Sequence, residues 1–327
     1  MEYTADNFRY DNMVYNRCGN SGLKLPVISL GLWQNFGSKA DVSNMKSMLF
    51  TAFDNGITHF DLANNYGPVP GSAEINFGSI LKSDLKKYRD ELIISTKAGY
   101  TMWDGPYGDH GSRKYLIASL DQSLMRMGLD YVDIFYHHRM DPETPLEETM
   151  LALSQIVISG KALYVGLSNY DGSTMLKAAG ILRELKCPFI INQNRYSILD
   201  RRIEINGLKK ASKSNGTGTI VFSPLEQGIL AGRYLNGIPA GSRFSRNSMY
   251  DDTEIKIEKA KKLNEIAKKR GQTLAQMSLS WVLKDSDITS VLMGASSPEQ
   301  IKENLGIIGA PEFSTEEITE IDSITAL

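Results

Sequence analysis

Eight short runs of mostly apolar, β-prone residues recur along the chain, separated by longer stretches with helical spacing. The runs are ISLGLW from Ile28, THFDL from Thr58, LIISTK from Leu92, VDIFYHH from Val132, ALYVGLS from Ala162, FIINQN from Phe189, TIVFSP from Thr219 and SVLMG from Ser290. Nearly continuous apolar character is what parallel strands buried on both faces require. Between the runs, DVSNMKSMLFTAFDNG from Asp41 closes at Gly56. RKYLIASLDQSLMRMG from Arg113 sets Leu116, Leu120, Leu124 and Met127 on one helical face and stops at Gly128. PLEETMLALSQIVISG from Pro145 carries proline in its first turn and Gly160 after its end. Proline at entry and glycine at exit mark helix limits. Eight strands, each followed by helical material, predict an α/β chain closed into a (β/α)8 TIM barrel.

An open doubly wound sheet is the competing architecture, and it calls for G-x-G-x-x-G just after the first strand. Here the first run continues SLGLWQNFGS, and the G-x-G of Gly216 and Gly218 precedes a strand instead of following one. A (β/α)8 barrel needs about 250 residues, so a chain of 327 has room for additions. MVYNRCGNSGLKLPV reads as a hairpin turning at Gly19, Asn20, Ser21 and Gly22, and FSTEEITEIDSITAL from Phe313 as a charged C-terminal helix. The stretch Glu226 to Asp252 reads as a long loop, with Gly228, Gly232, Gly237, Pro239, Gly241, Arg233, Arg243 and Arg246. Loops of that length are commonly functional. No linker or repeat interrupts the pattern, so one domain over residues 1–327 is expected.

Lys and Arg number 36 against 38 Asp and Glu, a formal net charge of −2. That balance offers no general attraction for nucleic acid or an anionic membrane. Two distant cysteines, Cys18 and Cys187, make neither a disulfide framework nor a cysteine-rich zinc site. His59, His110, His137 and His138 fit no H-E-x-x-H pattern, so no metal is expected. The opening MEYTADNFRYDN has no apolar signal core, and no run approaches the roughly 20 apolar residues of a membrane span. A soluble, reducing, cytoplasmic setting is expected, with homo-oligomerisation left open.

In such a barrel the chemistry sits at the C-terminal ends of the strands. Strand two of the eight ends in Asp61, with Asn64, Asn65 and Tyr66 beyond it; strand three ends in Lys97, and strand four in His137 and His138. A buried lysine is costly unless paired, and Asp61 is its natural partner. Taken singly, each residue has an ordinary reading: a salt bridge locking two strands, a packed tyrosine, a satisfied core histidine. Together they suit proton transfer to a carbonyl oxygen. A free tyrosine ionises near 10, and an adjacent Lys⁺ favours tyrosinate, so Lys97 is expected to lower the Tyr66 pKa. His138 would polarise the carbonyl, and a cofactor must supply the hydride.

These residues and their surroundings resemble the aldo-keto reductases over nearly the whole chain, from GLWQNFG at Gly31 to EIDSI at Glu320. The likeness is strongest to the branch that holds voltage-gated potassium channel β subunits and bacterial L-glyceraldehyde 3-phosphate reductases. The bacterial members are closer, through FDLANNYGPVPGSAE from Phe60, ISTKAGYTMWDGPYGDHGSRKY from Ile94 and DIFYHHRMDPETPLEET from Asp133. The resemblance implies a catalytic tetrad of Asp61, Tyr66, Lys97 and His138. It chooses His138 by its spacing from Asp133 and turns His137 toward the helix layer. Channel-type subunits often carry asparagine at that position.

The resemblance also implies NADPH lying across the barrel mouth. Trp33 would flank the nicotinamide ribose, and Ser168, Asn169 and Gln193 would bind the carboxamide. Ser223, Pro224 and Leu225 stand where many relatives have a stacking tyrosine. Ser223 to Gly228, with Gln227, would line the pyrophosphate near Arg233. Beyond strand eight, Gly294 leads to Ser296, Ser297 and Pro298. Ser297 is a good N-cap and Pro298 a good first-turn residue, so a helix N-terminus is free to meet a phosphate. Ser296, Gln300 and Arg243 would complete a 2′-phosphate site, with Glu303 and Asn304 at the adenine edge. An ordinary capped helix is the simpler local reading.

Trp33, Tyr66, Trp103 and His138 are the candidate substrate contacts, with Tyr107 near them on a loop, YTMWDGPYGDHGS from Tyr100, whose glycines suggest mobility. Arg113 or Arg139 would suit a substrate phosphate or a surface role. The activity expected is NADPH-dependent reduction of aldehydes and α-dicarbonyls, with L-glyceraldehyde 3-phosphate and methylglyoxal as candidate small-molecule substrates. A cofactor-sensing accessory subunit and a Schiff-base lyase using Lys97 are the alternatives.

Overall fold

Ser290–Met293, the last strand, pairs in parallel with Ile28–Gly31, the first of the eight, and this pairing closes the sheet on itself. The computed structural model describes residues 3–238 and 252–326. Ahead of the barrel, β1 (Tyr15–Arg17) and β2 (Lys24–Pro26) form the antiparallel hairpin expected from sequence, Tyr15 opposite Pro26. The barrel strands are β3 (Ile28–Gly31), β4 (His59–Asp61), β5 (Ile93–Ala98), β6 (Val132–His137), β7 (Ala162–Ser168), β8 (Phe189–Arg195), β9 (Gly218–Phe222) and β10 (Ser290–Met293). Their order is β10-β3-β4-β5-β6-β7-β8-β9, every pair parallel, as the apolar runs predict.

The helices are α1 (Val42–Asp54), α2 (Ser72–Ile80), α3 (Arg113–Met127), α4 (Leu146–Ile158), α5 (Gly172–Glu184), α6 (Arg202–Ile205), α7 (Leu208–Asn215), α8 (Thr253–Lys269), α9 (Leu274–Val282), α10 (Pro298–Leu305) and α11 (Thr315–Thr325). Their limits follow local chemistry. Asp41 accepts from the backbone N–H groups of Ser43 and Asn44 at the start of α1. Ser112 caps α3, which stops where Gly128 turns left-handed at φ 66°. Pro145 stands just before α4, not inside its first turn. At α10 the cap residue Ser297 is extended, but its side chain makes no capping bond to the backbone. Of the expected long loop, the described part begins with a short 3-10 turn, Glu226–Gly228. Pro239, Gly241, Arg243 and Arg246 lie outside the described residues.

Main-chain bonds carry the ladder past the strand ends. Leu62 N–H donates to Ser95 O, Asn64 N–H to Lys97 O, and His138 N–H to Ala98 O, each at 2.9 Å. The residues just beyond β4 and β6 are thereby held as firmly as the strands. Among the described residues, no helix is long and apolar enough to cross a membrane.

Candidate active site

Asp61 closes β4, and Lys97 stands one residue from the end of the neighbouring β5. Both are fully buried. The Lys97 ammonium pairs with Asp61 Oδ2 and donates to Leu62 O at 2.6 Å and to Tyr66 Oη at 3.3 Å. Asp61 Oδ1 in turn accepts from Ser95 Oγ at 2.6 Å and Gln193 Nε2 at 3.1 Å. A buried ion pair is tolerable when the remaining hydrogen-bonding capacity is filled, as it is here. Burial holds the Lys97 pKa below its ordinary value against the opposing pull of Asp61 and Glu74.

Tyr66 lies over this pair. Lys97 Nζ is 4.7 Å from its ring centroid, and the ring meets His138 edge-on at 6.0 Å. The expected lowering of its pKa does not occur in this structure. Burial, then the charge of Asp61 and the neighbouring Tyr100, push the phenol well above 10. His138 is driven the other way, well below 6.5, first by burial and then by Lys97, so its ring is neutral. His137 points into the helix layer, as expected, with Nδ1 2.7 Å from the Tyr170 hydroxyl.

Tyr100 is a contact that sequence reasoning missed. Its ring meets His138 at 4.7 Å and 88°. Arg139 holds it there: the guanidinium sits 4.4 Å from the Tyr100 centroid, donates to Gly99 O and pairs with Asp109, each at 2.7 Å. Asp109 also accepts from Thr101 Oγ1, and Met102 N–H reaches Gly108 O at 2.8 Å. The loop from Tyr100 is therefore pinned where its glycines suggested mobility. Arg139 is committed to that loop, while Arg113 is exposed at the start of α3. Trp103 packs on Tyr115 at 5.2 Å, and Tyr107 is exposed. Trp33, half-exposed, faces Tyr66 at 6.3 Å.

The model of the aldo/keto reductase family matches residues 27–326. The chain belongs to that family. It is 54% identical over 329 residues to L-glyceraldehyde 3-phosphate reductase of Escherichia coli strain K12, covering 98% of this chain and 95% of that protein. Identity and coverage are the same against the protein of that name from Escherichia coli O157:H7.

The other residues expected to serve this aldo/keto reductase lie in or after strands β7, β8, β9 and β10. Ser168 is buried at the end of β7, and Asn169 follows it in the left-handed region, φ 59°, its amide donating to His138 O at 2.9 Å. Gln193 is turned inward onto Asp61. After β9 the backbone is left-handed at Ser223, Glu226, Gln227 and Gly228, the first three not glycine. Within this turn Glu226 N–H donates to Ser223 O at 3.0 Å and Gly228 N–H to Leu225 O at 2.9 Å. Pro224 is buried and Leu225 partly so, while Arg233 is exposed with its stem beside Gly228. Strained backbone of this kind persists where its surroundings over-determine it. Here Glu226 is locked by Arg195, by Lys256 at 3.0 Å and by the Ser197 hydroxyl at 3.1 Å.

Past β10, Gly294 and Ser296 are exposed, and Ser296 donates from both N and Oγ to Gln300 Oε1, at 2.8 and 3.0 Å. Two asparagines the sequence did not flag tie this loop to the first βα loop and to α1. Asn35 donates to Ala295 O at 2.6 Å and Asn44 to Ser296 O at 2.9 Å. Glu303 is exposed, but Asn304 is buried and gives its amide to Met293 Sδ at 2.8 Å. The two do not present a common edge outward. Arg243 lies outside the described residues.

Proposed function

We propose that this protein reduces small aldehydes and α-dicarbonyls with NADPH, L-glyceraldehyde 3-phosphate and methylglyoxal being the first substrates to test. The observation that carries the reading is the line Asp61–Lys97–Tyr66 rising to a mouth walled by His138, Trp33 and Tyr100. The donor set fits a dinucleotide. Ser168 and Asn169 offer amide partners, exposed Arg233 beside the turn after Ser223 suits a pyrophosphate, and Ser296 and Gln300 near the N-terminus of α10 suit a further phosphate. Bound there, NADPH supplies hydride to the carbonyl carbon.

The protein supplies the proton and the geometry. Tyr66 Oη donates to the carbonyl oxygen as negative charge develops on it. The neutral ring of His138 hydrogen-bonds the same oxygen, and Lys97 stabilises the tyrosinate left behind. Tyr100 and Trp33 restrict the approach of the aldehyde. The name shared by the two Escherichia coli relatives supports a three-carbon phosphorylated aldehyde. We take the protein to act as one soluble cytoplasmic domain on small molecules, without nucleic acid or membrane partners.

Steady-state kinetics with an aldehyde panel and both nicotinamide cofactors test the proposal. Turnover is expected with NADPH, and kcat/KM for L-glyceraldehyde 3-phosphate should exceed that for unphosphorylated glyceraldehyde. A folded protein that binds NADPH but turns over no aldehyde would be an accessory subunit instead.

The two shifted groups also dictate the pH profile. Reduction needs Tyr66 protonated and His138 neutral. Tyr66 is held well above 10 and His138 well below 6.5. Activity is therefore lost on the acid side only as His138 gains its proton, and on the alkaline side only beyond the ordinary tyrosine range. We expect kcat to be flat from about pH 6.5 to about pH 9. A loss centred near pH 7 would contradict these assignments.

A further inference from the structure

Below the Asp61–Lys97 pair, a chain of buried polar side chains runs through one side of the barrel interior, beside the branched apolar cluster of Ile134, Ile191, Ile220 and Leu292 that is usual in such barrels. Ser290 Oγ is 2.7 Å from Ser29 Oγ, and Ser29 Oγ is 2.9 Å from His59 Nδ1. His59 Nε2 is 2.9 Å from Ser95 Oγ, and Ser95 Oγ reaches Asp61 Oδ1 at 2.6 Å. All five residues are fully buried. Four adjacent strands contribute, β10, β3, β4 and β5, and His59 and Asp61 share the inner face of β4 because alternate residues of a strand point the same way.

The direction of every bond in this chain follows from its last member. Asp61 accepts from Lys97, Gln193 and Ser95. Ser95 has one hydroxyl proton and spends it on Asp61, so it must accept from His59. The imidazole proton is thereby assigned to Nε2. Burial holds the His59 pKa down at about 4, so the ring is neutral and Nδ1 has a lone pair. Ser29 must then donate to Nδ1 and accept from Ser290.

We propose that His59 is a positioning residue for Asp61: neutral, with its proton on Nε2, it turns the Ser95 hydroxyl onto Asp61 Oδ1 and so fixes the carboxylate that holds Lys97 beneath Tyr66. His59 touches neither substrate nor cofactor. The proposal rests on the reading of Asp61, Lys97 and Tyr66 as the proton-donating line. It explains why a charge-bearing residue type sits at the centre of the barrel, and why serines flank it on both neighbouring strands.

Two measurements test it. Nitrogen-15 spectra of the histidine side chains in the full-length protein should show His59 protonated at Nε2 and bare at Nδ1 at neutral pH. An Nδ1–H tautomer or an imidazolium overturns the proposal. In kinetics, His59→Leu removes the donor to Ser95. It should lower kcat about tenfold, the worth of one hydrogen bond relayed to a charged group, with KM and NADPH affinity within about twofold. His59→Gln places an amide N–H near the lost Nε2 and should recover most of that activity.

Unchanged kcat in folded His59→Leu, or equal losses in the leucine and glutamine variants, reduces His59 to packing and overturns the proposal. Should His59→Leu fail to fold, Ser95→Ala takes its place: the same fall in kcat is expected, and an unchanged value again overturns the proposal. Tyr66→Phe, assayed alongside, separates the two layers. If it stays active, the proton-donor reading fails whatever the spectra show for His59.

Discussion

Tyr66→Phe is expected to lower kcat for aldehyde reduction by roughly 10²–10⁴-fold, the usual worth of a positioned general acid. The substitution removes one oxygen and keeps the ring. Its packing against Trp33 at 6.3 Å and His138 at 6.0 Å should survive. NADPH affinity, read by fluorescence titration, should change little, and thermal unfolding should move by only about a degree or two, as for a mild substitution. The Lys97 ammonium loses its 3.3 Å contact to the hydroxyl but keeps Asp61 and the Leu62 carbonyl. A folded Tyr66→Phe protein with native turnover would refute the assignment of the proton donor.

Lys97→Met should be damaging twice over. It removes the charge that stabilises tyrosinate, and it leaves Asp61 buried without its cation. Breaking one side of such a pair typically costs about 3–5 kcal/mol. The two effects separate with pH. An unpaired buried carboxylate is stabilised by protonation, so its folded-state pKa lies above its unfolded value. The deficit is then smallest in acid and grows as pH rises through that folded-state pKa.

Adding Asp61→Asn to Lys97→Met removes the stranded charge. The double variant should regain stability at neutral pH while its turnover stays low. If the double variant is no more stable than Lys97→Met alone, the ion pair is not what Lys97 contributes. Lys97 is also the residue a Schiff-base enzyme would use. Its ammonium is committed to three acceptors at once, so borohydride in the presence of an aldehyde substrate should trap no adduct at this position. A trapped adduct would replace the electrostatic role with a nucleophilic one.

The barrel was readable because its signals are local and repeated. Strands buried on both faces have to be apolar throughout, and runs such as VDIFYHH and ALYVGLS are. Asp61, Lys97 and His138 were readable for the complementary reason: charged or titratable residues at the ends of such runs are costly without a task. What escaped depends on pairings distant in sequence. Arg139 and Asp109 stand 30 positions apart, and no periodicity announces that one clamps the other's loop. The Glu226 cluster joins Arg195, Ser197 and Lys256, which belong to separate elements. Ser297 carried the local signal of a helix cap, but the neighbouring Ser296 made the bonds to Gln300. For Tyr66, the attraction of a nearby lysine was legible, whereas the larger penalty of burial is a property of the assembled mouth.

The joint between β3 and β10 also has a bearing on how the molecule comes into being. Ser29 meets Ser290 across 261 positions, and Asn35 meets Ala295 across 260. A ribosome adding about 5–20 residues per second needs roughly 13–50 s to bridge that interval. Throughout it, β3 presents an unpaired edge of the kind that other chains readily add to. The hairpin offers only partial cover, since Asn16 too is bonded to a late residue, Thr289, at 3.0 Å. The nascent chain therefore keeps that edge open while β4 to β9 are made, until β10 leaves the ribosome.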